Sequence, residues 1–157
     1  MVRRFRHMPV DPRTAIWNPW ENSGCPMTAD RLTATLAAID AANAADPNRA
    51  DGIPEALLYG QRMSAELARL LPHASELLQI AARGQHIERW TAPRASYPEG
   101  RAGYLAWRRD LGGFHARRVA GIMAGAGYPV AEAGRVGQML RKEGIKRDPE
   151  VQALEDV

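Results

Sequence analysis

The sequence predicts an all-α domain, a compact bundle of about five to six helices. From Met27 onward, apolar residues recur every three to four positions, which is typical of amphipathic helices. No segment shows the two-residue alternation of a strand, and prolines and glycines separate the periodic segments. The chain has 157 residues, 45% of them hydrophobic, which is enough for one buried core. Residues 27–157 are therefore expected to form a single domain.

The first 26 residues differ from the rest. They contain four prolines and two tryptophans with no sustained helical period, which predicts an irregular and mobile N-terminal arm over residues 1–26. Met27 follows this arm and is a second candidate for the first residue of the protein. Leu32, Leu36 and Ile39 then mark one face of the first helix.

Two further helices are predicted before Pro93. Pro54 follows the turn-like stretch DPNRADG and suits the first position of a helix, so EALLYGQRMSAELARLL continues as an amphipathic helix. The stretch ASELLQIAARGQHIERW has the period of a third helix. Because a residue that precedes proline is biased away from helical backbone angles, this helix is expected to end just before Pro93.

The second half of the chain is also expected to be helical. The loop TAPRASYPEG leads into a long helical pattern over residues 101–124, with an interruption expected at the glycine pair 112–113. A further helix is expected between residues 129 and 144. Asp148 and Pro149 have the residue types of a helix cap and first turn, which predicts one more helix.

Positive charge is concentrated in the middle of the chain. The formal net charge is +3, yet residues 83–118 contain eight arginines against three acidic residues, an excess of five. Such an excess attracts anions, phosphate groups among them. The alternative is a solvated face, because 19 of the 21 basic residues of the chain are arginines. A net charge of +3 is modest for a nucleic-acid-binding protein, so nucleic acid is the less favoured partner.

Polar side chains fall on the apolar faces of two predicted helices. At about 100° per residue, His115 lies at the centre of the apolar stripe that includes Leu111, and Arg108 lies close beside it. On the preceding helix, Gln85 lies on the apolar face and His86 at its edge. Helical bundles build their sites from such inward-facing groups. The alternatives are a hydrogen-bonded core residue for His115 and a favourable helix C-terminus for His86.

The composition also indicates where the protein works. No apolar run approaches the roughly 20 residues that span a bilayer, and no apolar stretch follows the basic N-terminus as a secretory signal requires. Cys25 is the only cysteine, so an internal disulfide is excluded. The sequence therefore predicts a cytoplasmic protein without a membrane partner.

Three stretches carry a resemblance to a known family. In order, they are LLYGQRMSAELARLLPHASELLQIAARGQHIERWTAPRASYP, RAGYLAWRRDLGGFHA and LRKEGIKRDPEVQALEDV. With them, residues 27–157 resemble the DUF4202 family of helical proteins from bacteria and fungi. The resemblance implies a helical fold and assigns no activity. Members of the family usually continue from LEDV into an apolar helix, so the resemblance implies either a natural short form or a sequence that is incomplete after Val157.

A second, partial similarity concerns mechanism. The order YGQRM, AARGQHI, FHA and LEDV is similar to that of the HD-type phosphohydrolases, helical enzymes whose histidines and aspartates hold divalent metal around a phosphate. Tyr59 and Gln85 stand where that family has metal-binding histidines, and His86 stands where it has an aspartate. Asp156 matches in type, and His115 resembles an accessory histidine of some such enzymes. The similarity implies an HD-like arrangement of the helices.

Binding of a phosphorylated small molecule or nucleotide is the function that the sequence favours. The ligand would lie in a cleft lined by arginine and histidine, and the residues predicted to bind it are Arg62, Gln85, Arg89, Arg94 and Arg108. A non-catalytic protein-interaction module is an alternative, and it would show an apolar surface patch instead of a charged cleft.

A metal-dependent phosphohydrolase is the other alternative. Imidazole and carboxylate groups bind manganese, zinc or iron, so His86, His115 and Asp156 are predicted both to hold the metal and to catalyse. A metal-activated water would attack a phosphoester while Arg108 neutralises the developing charge. The sequence leaves the identity of the cofactor and the oligomeric state open.

Overall fold

The computed structural model of the chain describes residues 28–157. Over these residues it contains six α-helices, one short two-stranded ladder and two single-turn 3-10 helices, Arg89–Thr91 and Arg94–Ser96. The predicted all-α class is confirmed, and the predicted arm lies outside the described residues. The elements are α1 (Thr28–Asn43), β1 (Arg49–Ala50), β2 (Ile53–Pro54), α2 (Glu55–Leu70), α3 (Glu76–Gly84), α4 (Gly100–Gly125), α5 (Val130–Leu140) and α6 (Pro149–Asp156).

One hydrophobic core joins the six helices. The short helix α3 packs against α1, α2, α5 and α6, and α4 packs mainly against α5. Full burial of one large aliphatic side chain stabilises the fold by roughly 1.5–3 kcal/mol. Each helix supplies at least one apolar side chain that is at most 1% exposed: Ile39, Leu67, Ile80, Met123, Met139 and Leu154, in chain order.

The ladder between α1 and α2 is a tight hairpin that the sequence analysis did not predict. β1 and β2 pair antiparallel, and the two residues that join them, Asp51 and Gly52, have φ angles of 52° and 79°. Positive φ at both positions is typical of a two-residue hairpin turn. Pro54 precedes α2 instead of beginning it. The buried carboxylate of Asp46 caps α2 from outside, since it accepts a hydrogen bond from the Ala56 backbone at 2.9 Å.

Helix α3 ends earlier than the sequence predicts. The helical pattern continues to Trp90, but α3 stops at Gly84, and Glu88 adopts a φ of 50°. A buried hydrogen bond holds the chain in this turn: Asn43, fully buried in α1, accepts the backbone N–H of Glu88 at 3.0 Å. This tertiary contact outweighs the local helical pattern, because a buried amide needs a partner and propensity is a weak preference.

Helix α4 is continuous, so the predicted interruption at its central glycines is wrong. A side chain added at Gly112 would place its Cβ 3.4 Å from the carbonyl oxygen of Leu140. The glycine therefore lets the end of α5 pack close to α4. Burial against α5 more than offsets the roughly 1 kcal/mol by which glycine disfavours a helix.

The predicted start of the last helix is confirmed. Pro149 is the first residue of α6, and the Asp148 carboxylate accepts the backbone N–H groups of Glu150 and Val151 at 3.0 and 3.3 Å. Arg135 of α5 binds the same carboxylate through two hydrogen bonds. The hydrogen bonds from Arg135 are the largest cause that lowers the pKa of Asp148, and the two backbone hydrogen bonds add to it. Together they lower this pKa to about 2. The cap therefore also ties α6 to α5.

Helices α3 and α4 approach each other closely at Gly84. A Cβ added to Gly84 would lie 2.6 Å from Cγ2 of Val119, a residue of α4 that is fully buried. Real Cβ atoms essentially never approach that closely, so only glycine fits without a shift of the neighbouring chain. The residues that follow Gly84 are thereby brought beside α4.

Replacing Gly84 with alanine should destabilise the protein. We expect Gly84→Ala to lower the free energy of unfolding by about 1–3 kcal/mol, because the new methyl group overpacks the contact with Val119. The measurement is chemical denaturation of the variant and the parent at neutral pH.

Gly121→Ala is the matched control for this substitution. Gly121 lies within α4, and an added Cβ there meets nothing within 4 Å. Alanine at this position should be neutral or should stabilise the helix by about 0.5–1 kcal/mol. Equal stability of the two variants would contradict the close approach at Gly84.

Candidate functional site

A cleft of about 700 Å³ lies where α2, α4, α6 and the ends of α3 and α5 meet. We call it the cationic cleft. Arginine, histidine and aromatic side chains dominate its inner surface. Its lining residues are Tyr59, Gln85, His86, Arg89, Tyr104, Trp107, Arg108, Arg109, Leu111, Gly112, His115, Leu140, Arg141, Lys142, Glu143, Leu154, Glu155 and Val157.

Two imidazole rings from different elements meet in the cationic cleft. His86 lies in the turn after α3, and its ring stacks on Tyr59 of α2 with centroids 3.8 Å apart and planes 14° apart. His115 lies on the buried face of α4, and its ring centroid is 6.2 Å from that of His86. The early end of α3 is what turns His86 toward α2 and α4. If the helix continued past Gly84, the helical period of 3.6 residues would set the direction of the His86 side chain instead.

Both histidines are neutral at pH 7. Burial, followed by the charge of Arg89, lowers the pKa of His115 to about 4, although a hydrogen bond with the Gln85 backbone opposes this shift. The same two causes lower the pKa of His86 to about 3, with smaller contributions from His115, Lys142 and other nearby charge. Desolvation disfavours the imidazolium, and a neighbouring guanidinium repels it.

One nitrogen of His115 has no partner. The residue is 3% exposed, and its Nε2 is buried without a hydrogen bond to any residue that the structure describes. An unpaired buried polar atom costs on the order of 1–3 kcal/mol. The residue that carries this unpaired nitrogen lines the cationic cleft.

Two arginines at the cationic cleft lack a carboxylate partner. The Arg89 guanidinium lies 5.2 Å from the ring centroid of Trp107. Arg108 donates a hydrogen bond of 3.2 Å to the Tyr104 hydroxyl. Neither arginine forms an ion pair with any of the residues 31–157, whose side chains the structure describes. The Tyr104 hydrogen bond raises the pKa of Arg108, and the more distant charge of Glu155 adds to that effect.

The other cations of the cationic cleft are already compensated. Each of the three forms an ion pair, so its charge is largely cancelled locally. The unbalanced positive charge of the cleft therefore comes from Arg89 and Arg108. The pairs are Arg141 with Glu143, Lys142 with Glu155 and Arg109 with Asp110, at N–O distances of 2.5, 3.0 and 3.1 Å.

Five of the residues predicted from the sequence lie together in the cationic cleft. They come from the end of α3, from the 3-10 turn that follows it and from α4, which are separate in sequence. Their roles in binding or catalysis stay predictions. The five are Gln85, His86, Arg89, Arg108 and His115.

Three predicted residues lie outside the cationic cleft. Arg62 is exposed on α2. Asp156 is exposed at the end of α6, where it accepts a hydrogen bond of 2.8 Å from Gln152. Arg94 lines an adjoining cavity of about 340 Å³, which we call the aromatic recess. The lining residues of the aromatic recess are Asp46, Asn48, Glu55, Ala56, Tyr59, His86, Arg89, Trp90, Ala92, Pro93, Arg94 and Trp107.

The predicted metal ligands do not converge. Among the side chains of residues 31–157, no group of three or more histidines, cysteines, aspartates or glutamates could hold a metal ion. His86 and His115 share the cationic cleft, but Asp156 does not line it. The described residues thus lack the three-ligand set that the similarity to HD-type phosphohydrolases implies, and the metal site stays a prediction.

Thirteen of the 18 lining residues of the cationic cleft were not among the predicted site residues, and three of them show why. Tyr59 has one signal in the sequence, since it belongs to the YGQRM stretch on which the expected similarity to HD-type phosphohydrolases depends. Trp107 has the pattern of a core residue and is indeed 8% exposed, yet it also lines the cleft. Its indole N–H donates to the Ala92 carbonyl at 2.9 Å. Lys142 follows α5 with a φ of 58°, and no local pattern marks it.

The match to a family covers all of the cleft. Residues 33–157 match the family described as Domain of unknown function (DUF4202). The chain belongs to this family. Every residue that lines the cationic cleft or the aromatic recess lies within the DUF4202 match. No curated protein and no solved structure matches the chain. Among residues 28–157, no helix of the DUF4202 domain has the length and apolar character needed to cross a membrane.

The neutral state of His115 predicts the pH dependence of stability. Its pKa in the folded DUF4202 domain, about 4, lies below the ordinary histidine pKa of 6.5 that is expected in the unfolded chain. The unfolded state therefore binds more protons between these values, and stability falls as the pH drops from 6.5 toward 4. His115→Gln should reduce this slope by up to about 1.4 kcal/mol per pH unit. Chemical denaturation at several pH values measures it.

His73→Gln is the control for the pH experiment. His73 is exposed and lies outside both the cationic cleft and the aromatic recess. This variant should keep the acid slope of the parent protein. If the free energy of unfolding of His115→Gln changes with pH as steeply as that of the parent, the conclusion that His115 is a neutral, buried imidazole is refuted.

Proposed function

We propose that the DUF4202 domain binds a phosphorylated small molecule in the cationic cleft, with the phosphate between Arg89 and Arg108. The observation that carries this proposal is the presence of two guanidinium groups without carboxylate partners, among the described residues, at the same cavity. Guanidinium groups bind phosphate oxygens through parallel, charge-assisted hydrogen bonds.

The electrostatics of the histidines support an anionic ligand. Arg89 contributes to lowering the pKa of both His86 and His115, and Arg108 contributes at His86. The cleft therefore has a positive potential that extends to its buried side chains. A bound phosphate would offset this potential, and the unpaired Nε2 of His115 would accept a hydrogen bond from a hydroxyl group of the ligand.

A second large cavity is a weaker candidate for an anion. It measures about 670 Å³ and is lined by Arg135 and Arg147 beside Asp148 and Glu150. Arg135 pairs with both of these carboxylates, so its charge is already used within the fold. Arg147 is then the one arginine of this cavity without an ion pair among residues 31–157, whereas the cationic cleft has two.

The interaction-module alternative has some structural support. Leu70 and Leu71 are 42% and 40% exposed at the end of α2. Leu71, Pro72 and Ala153 line a shallow apolar groove of about 410 Å³. Such a module would leave the buried, neutral histidines and the unpaired arginines of the cationic cleft without a role, so we favour ligand binding.

Two predictions from the sequence belong with this proposal. A cytoplasmic location suits a protein with a single cysteine and a phosphorylated ligand. Metal-dependent hydrolysis of the ligand would require donors beyond the two imidazoles of the cationic cleft. We therefore propose binding and derive no catalytic step.

A phosphate ester should stabilise the protein through Arg108. We expect ribose 5-phosphate to raise the melting temperature at low salt, since a ligand that binds only the folded state stabilises it. The rise should shrink with added sodium chloride, because salt screens the charges. Arg108→Gln should weaken the affinity by about 10-fold or more. Isothermal titration calorimetry measures the affinity directly.

Arg101→Gln is the matched control for Arg108→Gln. Arg101 is an exposed arginine of the same helix that lies outside the cationic cleft, so its removal changes the net charge equally. Its affinity should equal that of the parent. An equal loss of affinity in both variants would mean that only the net charge of the protein matters. If neither ribose 5-phosphate nor inorganic phosphate binds, with EDTA or with added manganese, the proposal is overturned.

A further inference from the structure

The cationic cleft and the aromatic recess adjoin each other. Four residues line both cavities: Tyr59, His86, Arg89 and Trp107. The two cavities have volumes of about 700 and 340 Å³, each within the usual range for a small-molecule site. A phosphate group alone would fill only a small part of this space. The ligand is therefore expected to extend from the cleft into the recess.

The aromatic recess presents one indole ring that is free to stack. Trp90 is partly exposed and makes no ring or cation contact with another residue from 28 to 157. The other aromatic side chains of the recess already make ring contacts: Tyr59 stacks on His86, and the Arg89 guanidinium lies over the ring of Trp107. A flat aromatic group that enters the recess therefore meets Trp90 as its stacking surface.

The charges of the two cavities orient the ligand. Carboxylates line the aromatic recess at Asp46 and Glu55, and both disfavour a phosphate there. Arg94, the other cation of the recess, donates to the backbone carbonyls of Tyr97 and Gly100 at 3.0 and 3.4 Å. Arg108 lines only the cationic cleft and Arg89 lines both cavities, so the two guanidinium groups that are not bound to backbone carbonyls meet at the cleft. The phosphate end of the ligand thus belongs in the cleft and the aromatic end in the recess.

The aromatic recess selects for a ring that also forms hydrogen bonds. A purely apolar ring would remove the Glu55 carboxylate from water without replacing its hydrogen bonds. A sugar alone would leave the face of Trp90 uncovered. A nucleobase offers both a flat face and N–H donors. Bases stack on aromatic side chains with little dependence on their sequence identity, so the recess does not select one base by stacking.

Building on the proposed phosphate binding, we propose that the ligand is a nucleoside phosphate. Its base stacks on Trp90 in the aromatic recess, and its phosphate lies between Arg89 and Arg108 in the cationic cleft. Arg89 lines both cavities and bridges the two ends of the ligand.

Affinities of matched ligands test this inference. Isothermal titration calorimetry compares the 5′-monophosphates of adenosine, guanosine, cytidine and uridine with ribose 5-phosphate, which lacks the base. At least one nucleotide should bind about 10-fold or more tightly than ribose 5-phosphate. Trp90→Leu should remove this advantage and change the affinity for ribose 5-phosphate by less than about twofold. Arg108→Gln should weaken both classes of ligand alike.

Trp90→Phe is the conservative control, since it keeps an aromatic face and should retain most of the advantage of the nucleotide. Thermal unfolding without ligand checks that each variant is folded. The comparison of nucleotides with ribose 5-phosphate on the parent protein tests the inference even if a variant does not fold. If nucleotides bind no more tightly than ribose 5-phosphate while Arg108→Gln weakens both, the nucleoside inference is overturned and phosphate binding stands. If no phosphorylated compound binds, both proposals fail.

Discussion

The contact between Gly84 and Val119 is the constraint on which the candidate site depends. Because Gly84 has no side chain, the end of α3 reaches α4, where an added Cβ would lie 2.6 Å from a methyl group of Val119. The chain then leaves the helix, and Asn43 holds Glu88 in a left-handed turn through a buried hydrogen bond. These two contacts place His86 opposite His115. The site thus follows from the packing of three helices around one turn.

The arginines of this protein divide into two groups by their partners. Some of those outside the cationic cleft pair within the fold: Arg83 pairs with Asp40 at 3.0 Å, and Arg118 pairs with Glu88 at 2.5 Å. Such half-exposed pairs each contribute little to stability, but they cancel the charge that the sequence concentrates in this region. Arg89 and Arg108 form no ion pair with residues 31–157 and both line the cationic cleft, which the other unpaired arginines of this region do not. Two of the arginines without an ion pair therefore meet at one cavity.

Neutral imidazoles among cations give the cationic cleft its chemical character. Burial and the neighbouring guanidinium both oppose protonation of His86 and His115, so the two rings act as polar, uncharged groups at pH 7. The buried Nε2 of His115 lacks a described partner, and this costs free energy in the unliganded protein. A ligand with negative charge would offset the positive charge of Arg89 and Arg108. Its hydrogen-bonding groups would give Nε2 of His115 a partner. This is the physical basis on which the two proposals rest.

The sequence by itself determined the helical class and most helix boundaries, because helical periodicity, proline and capping residues act over a few positions. The cap of α6 by Asp148 is an example. It also determined five residues that line the cationic cleft, which stand out as polar groups on apolar helix faces or as arginines of one segment. Only the tertiary structure decided where α3 ends, that α4 passes its glycines unbroken, that Asp156 stays out of the cleft, and that Arg83 is paired with Asp40. Each of these depends on a contact between residues far apart in the chain, and local patterns carry no information about such contacts.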